Sequence, residues 1–300
     1  MLAAMIYESS APSLARPRRA FGRPRDHIID MLIAERAPHL AASMAWPLIR
    51  PLLYAALDYG KARRMADDIA PLGGRAALDF ISDLLSVKVE TSGLERVPRA
   101  GRLIAVCNHP TSVADGIAVY DALKGARPDM VFYANSDAQR VAPRFDEVLI
   151  PVEWVEEKRT RERTRVTLTM TRQAMEAERA LMIFPAGRLA RRIAGRRRAA
   201  DPAWAPSAFS VARKYQATVL PMHLSGPWSA LFHLFDGFSG ELRDITLFHE
   251  LLNKRGKAFT LTIGYPVATD ALPAEAGEAA RAMQAYVEHI LPIDPGRPFA

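Results

Sequence analysis

A single cysteine, Cys107, stands in 300 residues, which excludes an internal disulfide framework and suits a reducing compartment. A Gly-rich nucleotide loop of the usual spacing is also missing. The stretch HELLN at 249–253 starts like the zinc-binding His-Glu-x-x-His pattern, but Asn253 stands where the second histidine belongs, so no metal site is expected. No apolar run reaches the ~20 residues that a membrane span needs. The nearest, LAASMAWPLIRPLLYAALDYG at 40–60, is broken by Pro47, Arg50 and Pro51. At the amino end, MLAAMIYESSAPSLARPRRAFG places its apolar residues before its arginines, the reverse of a secretory signal. Residues 1–25 are therefore expected to be a retained, mobile tail. No aromatic-basic signature of a nucleic-acid binder is present, and no nucleic-acid partner is expected.

What is present begins with charge. Forty Lys and Arg against 33 Asp and Glu give a net charge of +7, which favours an anionic partner: phosphate, an acidic carrier protein or a lipid surface. The segment GRLARRIAGRRRAA at 187–200 holds six arginines and no acid. It reads either as a solvated basic face or as a contact for phosphates, an acidic protein or anionic headgroups.

From residue 26 to about 85 the apolar periodicity is helical, and DHIIDMLIAERA opens on Asp26, a residue able to cap a first turn. Residues 40–60 fit two placements. The helix either docks on its own core or lies in a bilayer interface, with Trp46 and Tyr54 at headgroup depth and Arg50 reaching for phosphate. Beyond 85, short Val-, Ile- and Phe-rich runs at 87–90, 103–107, 130–134, 148–152, 181–184, 219–224 and 259–263 alternate with helical stretches. That alternation predicts an α/β fold, a mixed and largely parallel sheet flanked by helices. The expected organisation is a tail (1–25), a helical amino-terminal module (26–85) and one α/β domain (86–300).

The stretch VCNHPTSVADG at 106–116 places His109 where a strand gives way to turn formers. In open α/β sheets that edge binds ligands. Pro110 biases His109 away from helical dihedrals, so His109 and Asp115 meet only if the loop folds back. If they meet, the carboxylate fixes the tautomer of an imidazole able to take a proton from a hydroxyl or amine. The alternative is that His109 ends a strand and Asp115 starts a helix. Cys107 lies two residues away along the strand, too far for a Cys–His pair, and reads as a buried thiol.

AVCNHPTSVADG resembles the first signature of the lysophospholipid and glycerophosphate acyltransferases. LMIFPAGRLARR at 181–192 resembles their Phe-Pro-Glu-Gly-Thr-Arg block, VLPMHLSG at 219–226 their late strand, and 229–267 the hemolysin-like branch that includes enzymes of ornithine-lipid synthesis. The resemblance implies acyl transfer from acyl carrier protein or acyl-CoA, as co-substrate, to a hydroxyl or amine of a lipid precursor, without metal or other cofactor. His109 is then the general base and Asp115 its orienting partner. The matching blocks make Asn108, Thr111, Ser112, Phe184, Pro185, Gly187 and Arg188 the substrate-binding candidates, although turn formation explains Thr111 and Ser112 equally well. Two departures stand out: five residues rather than the family's usual four separate His109 from Asp115, and Ala186 replaces the glutamate associated with glycerol-phosphate binding. A non-catalytic lipid or carrier-protein binding module on the same fold is the competing expectation. Either reading places the chain in the cytoplasm, peripheral on the inner face of the membrane.

Overall fold

The computed structural model describes residues 26–153, 160–192 and 199–300. The tail expected at 1–25 and the central arginines of the 187–200 block lie outside these residues.

Residues 28–85 form five helices: α1 (Ile28–Arg36), α2 (Pro38–Ala42), α3 (Trp46–Ala56), α4 (Tyr59–Ile69) and α5 (Gly74–Leu85). The cap of α1 is His27 rather than Asp26, its Nδ1 accepting the Ile29 N–H at 3.2 Å. The imidazole sits one position nearer the first turn and does what a capping carboxylate would do. α3 runs through Pro51, giving up one backbone hydrogen bond there. Its Trp46, Leu53 and Tyr54 pack against the core. Tyr54 donates to Asp30 Oδ1 at 2.7 Å and stacks 4.0 Å from Tyr59, which donates to the other Asp30 oxygen. Trp46 and Tyr54 are thus partly buried against the core, with Asp30 holding the two tyrosines. The outward face of α3 is left with Leu48, Ile49 and Leu52, all exposed, and Met44 precedes it.

The main sheet has seven strands: β1 (Lys88–Ser92), β2 (Leu103–Cys107), β3 (Val131–Asn135), β4 (Leu149–Val152), β5 (Ala180–Ile183), β8 (Thr218–Ser225) and β9 (Ala258–Ile263). A two-residue ribbon, β6 (Arg191–Arg192) with β7 (Ala199–Ala200), stands apart. The order is β1-β9-β8-β2-β5-β3-β4. β8, β2, β5, β3 and β4 run parallel, while β9 pairs antiparallel to β8 and carries β1 parallel to itself. β2 is buried at every position, as a central strand covered on both faces must be.

The crossovers are α6 (Ala114–Leu123), α7 (Asp137–Val141), α8 (Arg161–Glu176) and α9 (Ser207–Tyr215); α10 (Ala230–Asp236), α11 (Gly240–Ile245) and α12 (Leu247–Leu252) separate β8 from β9, and α13 (Ala276–Ala285) follows. Alternation divides the core by face. Leu103, Ala105 and Cys107 share one apolar cluster with α1, α4, α5 and α6, whereas Ile104 and Val106 face α8, α9 and α13. Among the described residues, no helix is long and apolar enough to cross a membrane.

Candidate active site

β2 delivers the chain to the carboxyl edge of the sheet, and Asn108 fastens it there. Its Nδ2 donates to the Leu224 carbonyl at 2.9 Å and its Oδ1 accepts the Leu224 N–H at 2.7 Å. A side chain thereby extends the β2–β8 pairing past the end of β2, and both polar ends of the amide are engaged. Cys107 is buried beside it, and burial, reinforced by Asp115 and Asp201, pushes its thiol well above the usual range.

The loop does fold back. His109 Nδ1 lies 2.8 Å from Asp115 Oδ2, although six positions separate the two residues. The reversal is built from the turn formers: the Thr111 N–H (2.9 Å) and the Ser112 N–H (3.3 Å) donate to the same Asp115 oxygen, and the Thr111 hydroxyl donates to Oδ1. Ser112 Oγ accepts the Ala114 N–H at 3.1 Å where α6 begins. The extra residue between histidine and aspartate is absorbed in this turn. Asp115 is fully buried in the first turn of α6, where the helix dipole favours a carboxylate. The His109 side chain stays 17% exposed. With Nδ1 held by the carboxylate, Nε2 is the nitrogen left to exchange a proton.

Phe184, one residue past β5, follows the same face parity as Cys107 and stacks on the imidazole, with centroids 4.4 Å apart. Pro185 is buried and Gly187 closes the turn, donating to the Phe184 carbonyl at 3.0 Å with φ +65°, which glycine adopts without strain. Arg188 is exposed at the surface of this turn. Two residues on, the Ala190 N–H donates to the His109 carbonyl at 2.9 Å, so the two sequence blocks are tied together.

Three further supports lie far away in sequence. The Asp201 carboxylate accepts the His109 backbone N–H with both oxygens, at 3.1 and 3.2 Å, and the Trp204 indole N–H at 3.0 Å. On the other side, Ser229 Oγ donates to the Thr111 carbonyl at 2.6 Å and accepts from Lys254 Nζ at 2.8 Å; Lys254 pairs with buried Glu250 at 2.8 Å. Gly226 completes the wall, since a Cβ there would come within 2.6 Å of Phe259 and 2.8 Å of the Thr111 methyl. None of these residues is among the site candidates that the sequence offers; for Asp201 and Trp204 the local signal is DPAW at 201–204, an acid and an indole just after the basic block.

Away from this loop, Arg161, Arg165, Leu168 and Arg172 share one face of α8. With Lys214 and Tyr215 they line an open groove of about 700 Å³. Among the described residues no group of three or more His, Cys, Asp or Glu is arranged to hold a metal ion. His249 lies 3.3 Å from Asp58.

Residues 88–225, which hold the His109 loop and the Phe184 turn, match the family model described as Acyltransferase. The lyso-glycine lipid O-acyltransferase of Phocaeicola vulgatus is 27% identical over 202 residues, covering 64% of this chain and 70% of that protein. Its counterpart in Bacteroides thetaiotaomicron is 25% identical over 202 residues, covering 64% and 72%. The crystal structure of a 1-acyl-sn-glycerophosphate acyltransferase from Thermotoga maritima superposes with a TM-score of 0.45 at 16% identity, over 87% of this chain and 93% of that one. The protein is an acyltransferase. More narrowly, its sequence is similar to those of lipid O-acyltransferases over about two thirds of its length.

Proposed function

We propose that this enzyme moves a fatty acyl chain from an acyl thioester, acyl-CoA or acyl carrier protein, to the hydroxyl of a single-chain amino-acid lipid at a membrane surface. The observation that carries the reading is the 2.8 Å contact between His109 Nδ1 and a buried carboxylate, on a ring still open to solvent. His109 Nε2 takes the proton of the acceptor hydroxyl as its oxygen attacks the thioester carbonyl. The tetrahedral intermediate expels the thiolate as the C–S bond breaks, and the imidazolium returns the proton to sulfur. Asp115 stabilises the imidazolium and keeps Nε2 free.

The acceptor class follows from two supports. Relatives covering 64% of the chain are named for O-acylation of a lyso-glycine lipid, and Ala186 stands where glycerophosphate enzymes carry glutamate. An acidic handle on the donor suits the Arg161, Arg165 and Arg172 face of α8. The amino end of α8 lies at the carboxyl end of β4, where Arg163 pairs with Glu153 at 2.6 Å, on the sheet edge that also carries His109. The apolar outward face of α3 suits a lipid surface.

The test is a transfer assay with radiolabelled palmitoyl-CoA or palmitoyl carrier protein and lyso-glycine lipid. Native enzyme converts the acceptor to its diacylated form, and His109→Ala lowers kcat by about 10³-fold while leaving acceptor binding within about twofold. Transfer by His109→Ala at the native rate overturns the base assignment, and absence of transfer by the native enzyme to any amino-acid lysolipid overturns the acceptor class.

A further inference from the structure

Among the described residues, Asp201 is the buried acid that reaches His109 from outside its own loop. It enters from the segment after β7, and its carboxylate is held by two donors. Both oxygens accept the His109 N–H, and Oδ2 also accepts the Trp204 Nε1–H. Its own backbone is anchored as well. The Asp201 N–H donates to Glu288 Oε1 at 3.3 Å, and Gln284 Nε2 donates to the carbonyls of Asp201 and Pro202 at 3.4 and 3.1 Å. Gln284 lies in α13 and Glu288 in the π-helical turn that follows. A carboxylate stationed there is costly without a purpose, because burying an anion is strongly unfavourable unless donors compensate it.

Geometry supplies the purpose. His109 has two backbone groups, and each has a distant partner: the carbonyl accepts from Ala190 and the N–H donates to Asp201. The side chain is fixed separately by Asp115 and Phe184. Pro110 has no N–H of its own, so the His109 N–H is the last main-chain donor before the turn. We infer that Asp201 is a positioning residue of the acyl-transfer site, clamping the His109 main chain through its N–H and adding a second acidic group within electrostatic reach of His109. This inference rests on the reading of His109 as the base.

Among the described residues, the charged and titratable groups that bear on Asp201 come from three elements. His109 draws its carboxyl down, Glu288 pushes it up, and Cys107 across the loop is held as a neutral thiol. Burial is the largest influence, and it outweighs the Trp204 and His109 donors to bring the carboxyl up to about 7. Asp201 therefore ionises where the enzyme works. Above that pH it is an anion that favours the imidazolium of the transition state. Below it, the clamp keeps a neutral acid and the electrostatic help is lost.

Three variants separate positioning from mere structure: Asp201→Ala, Asp201→Asn and Trp204→Phe, the last keeping the carboxylate and removing one donor. Two readouts are taken on each, hydrogen exchange of the His109 amide by NMR and kcat and KM against pH with palmitoyl-CoA and lyso-glycine lipid. Asp201→Ala is expected to speed exchange at His109 by about 10-fold or more. It is also expected to lower kcat by about 10²-fold with KM within about a factor of two. Asp201→Asn is expected to lose the rise in kcat that the native enzyme shows as pH climbs through 7, and Trp204→Phe to move both readouts in the same direction by less. Native exchange at His109 in Asp201→Ala, or an Asp201→Asn pH profile that superimposes on the native one, overturns the assignment. Should Asp201→Ala not fold, the other two variants decide. A native enzyme without turnover overturns the reading of function, while the exchange data still decide whether Asp201 clamps His109.

Discussion

Asp115 accepts from the His109 ring, the Thr111 N–H, the Thr111 hydroxyl and the Ser112 N–H, more than an amide in its place can accept. Asp115→Asn keeps the volume but turns one acceptor oxygen into a donor against those groups. The expected result is a kcat lowered by about 10²–10⁴-fold with the fold retained, read from steady-state kinetics beside far-UV circular dichroism. Asp201 gives a different signature, in stability. Its carboxyl sits at about 7 in the folded chain against 3.8 for a free aspartate, so between those values the folded form holds a proton that the unfolded form has released. Stability from this group is present below about pH 4 and falls as pH rises towards 7, by up to about 1.4 kcal/mol per pH unit. Urea unfolding across that window should show the native enzyme declining relative to Asp201→Asn; parallel curves for the two would contradict the placement of the charge. Neither behaviour is visible in a local reading of the chain. His109 and Asp115 were legible because strand end, proline and acid lie within nine residues, whereas Asp201 meets His109 across 92 positions.

At the level of elements, the apolar runs located the strands because central parallel strands are buried on both faces and need no polar alternation. The run at 103–107 coincides with β2, and 219–224 lies inside β8. Less legible were the short helices α10, α11 and α12, whose stability comes from tertiary partners rather than from periodicity. The buried pair inside this segment shows why. Glu250 and Lys254 stand one helical turn apart, and Lys254 reaches Ser229, which holds the Thr111 carbonyl. Burial pushes the Glu250 carboxyl up, but hydrogen bonding and attraction from the Lys254 ammonium bring it below the usual range. Lys254→Met leaves that carboxylate buried without its cation and is expected to destabilise the protein by about 3–5 kcal/mol, as measured by denaturant unfolding. The double change Glu250→Leu with Lys254→Met removes both charges and should recover most of the loss. If the single variant is as stable as the native protein, the pair does not hold the Thr111 loop.

For the whole molecule, the proposed reaction asks how this chain would reach an acceptor held in a bilayer. Met44, Leu48 and Leu52 are 98, 79 and 74% exposed, a larger commitment of apolar surface than scattered single residues require. Moving each side chain into lipid is worth about 1.5–3 kcal/mol, enough in sum for reversible attachment and far short of a permanent anchor. The inward face of the same helix is already satisfied by Asp30, Tyr59 and the core, so binding need not unfold anything. A net charge of +7 adds attraction to anionic lipid that weakens with salt. Replacing Leu48 and Leu52 together by Glu changes only exposed positions, so the fold should hold. The double variant is expected to lose about 10²-fold or more in partitioning onto phosphatidylglycerol vesicles while keeping native turnover on detergent-dispersed acceptor. Flotation of the variant with vesicles at the native level would mean that α3 is not the contact, and loss of turnover in detergent would mean that its outward face serves the reaction itself rather than the approach to it.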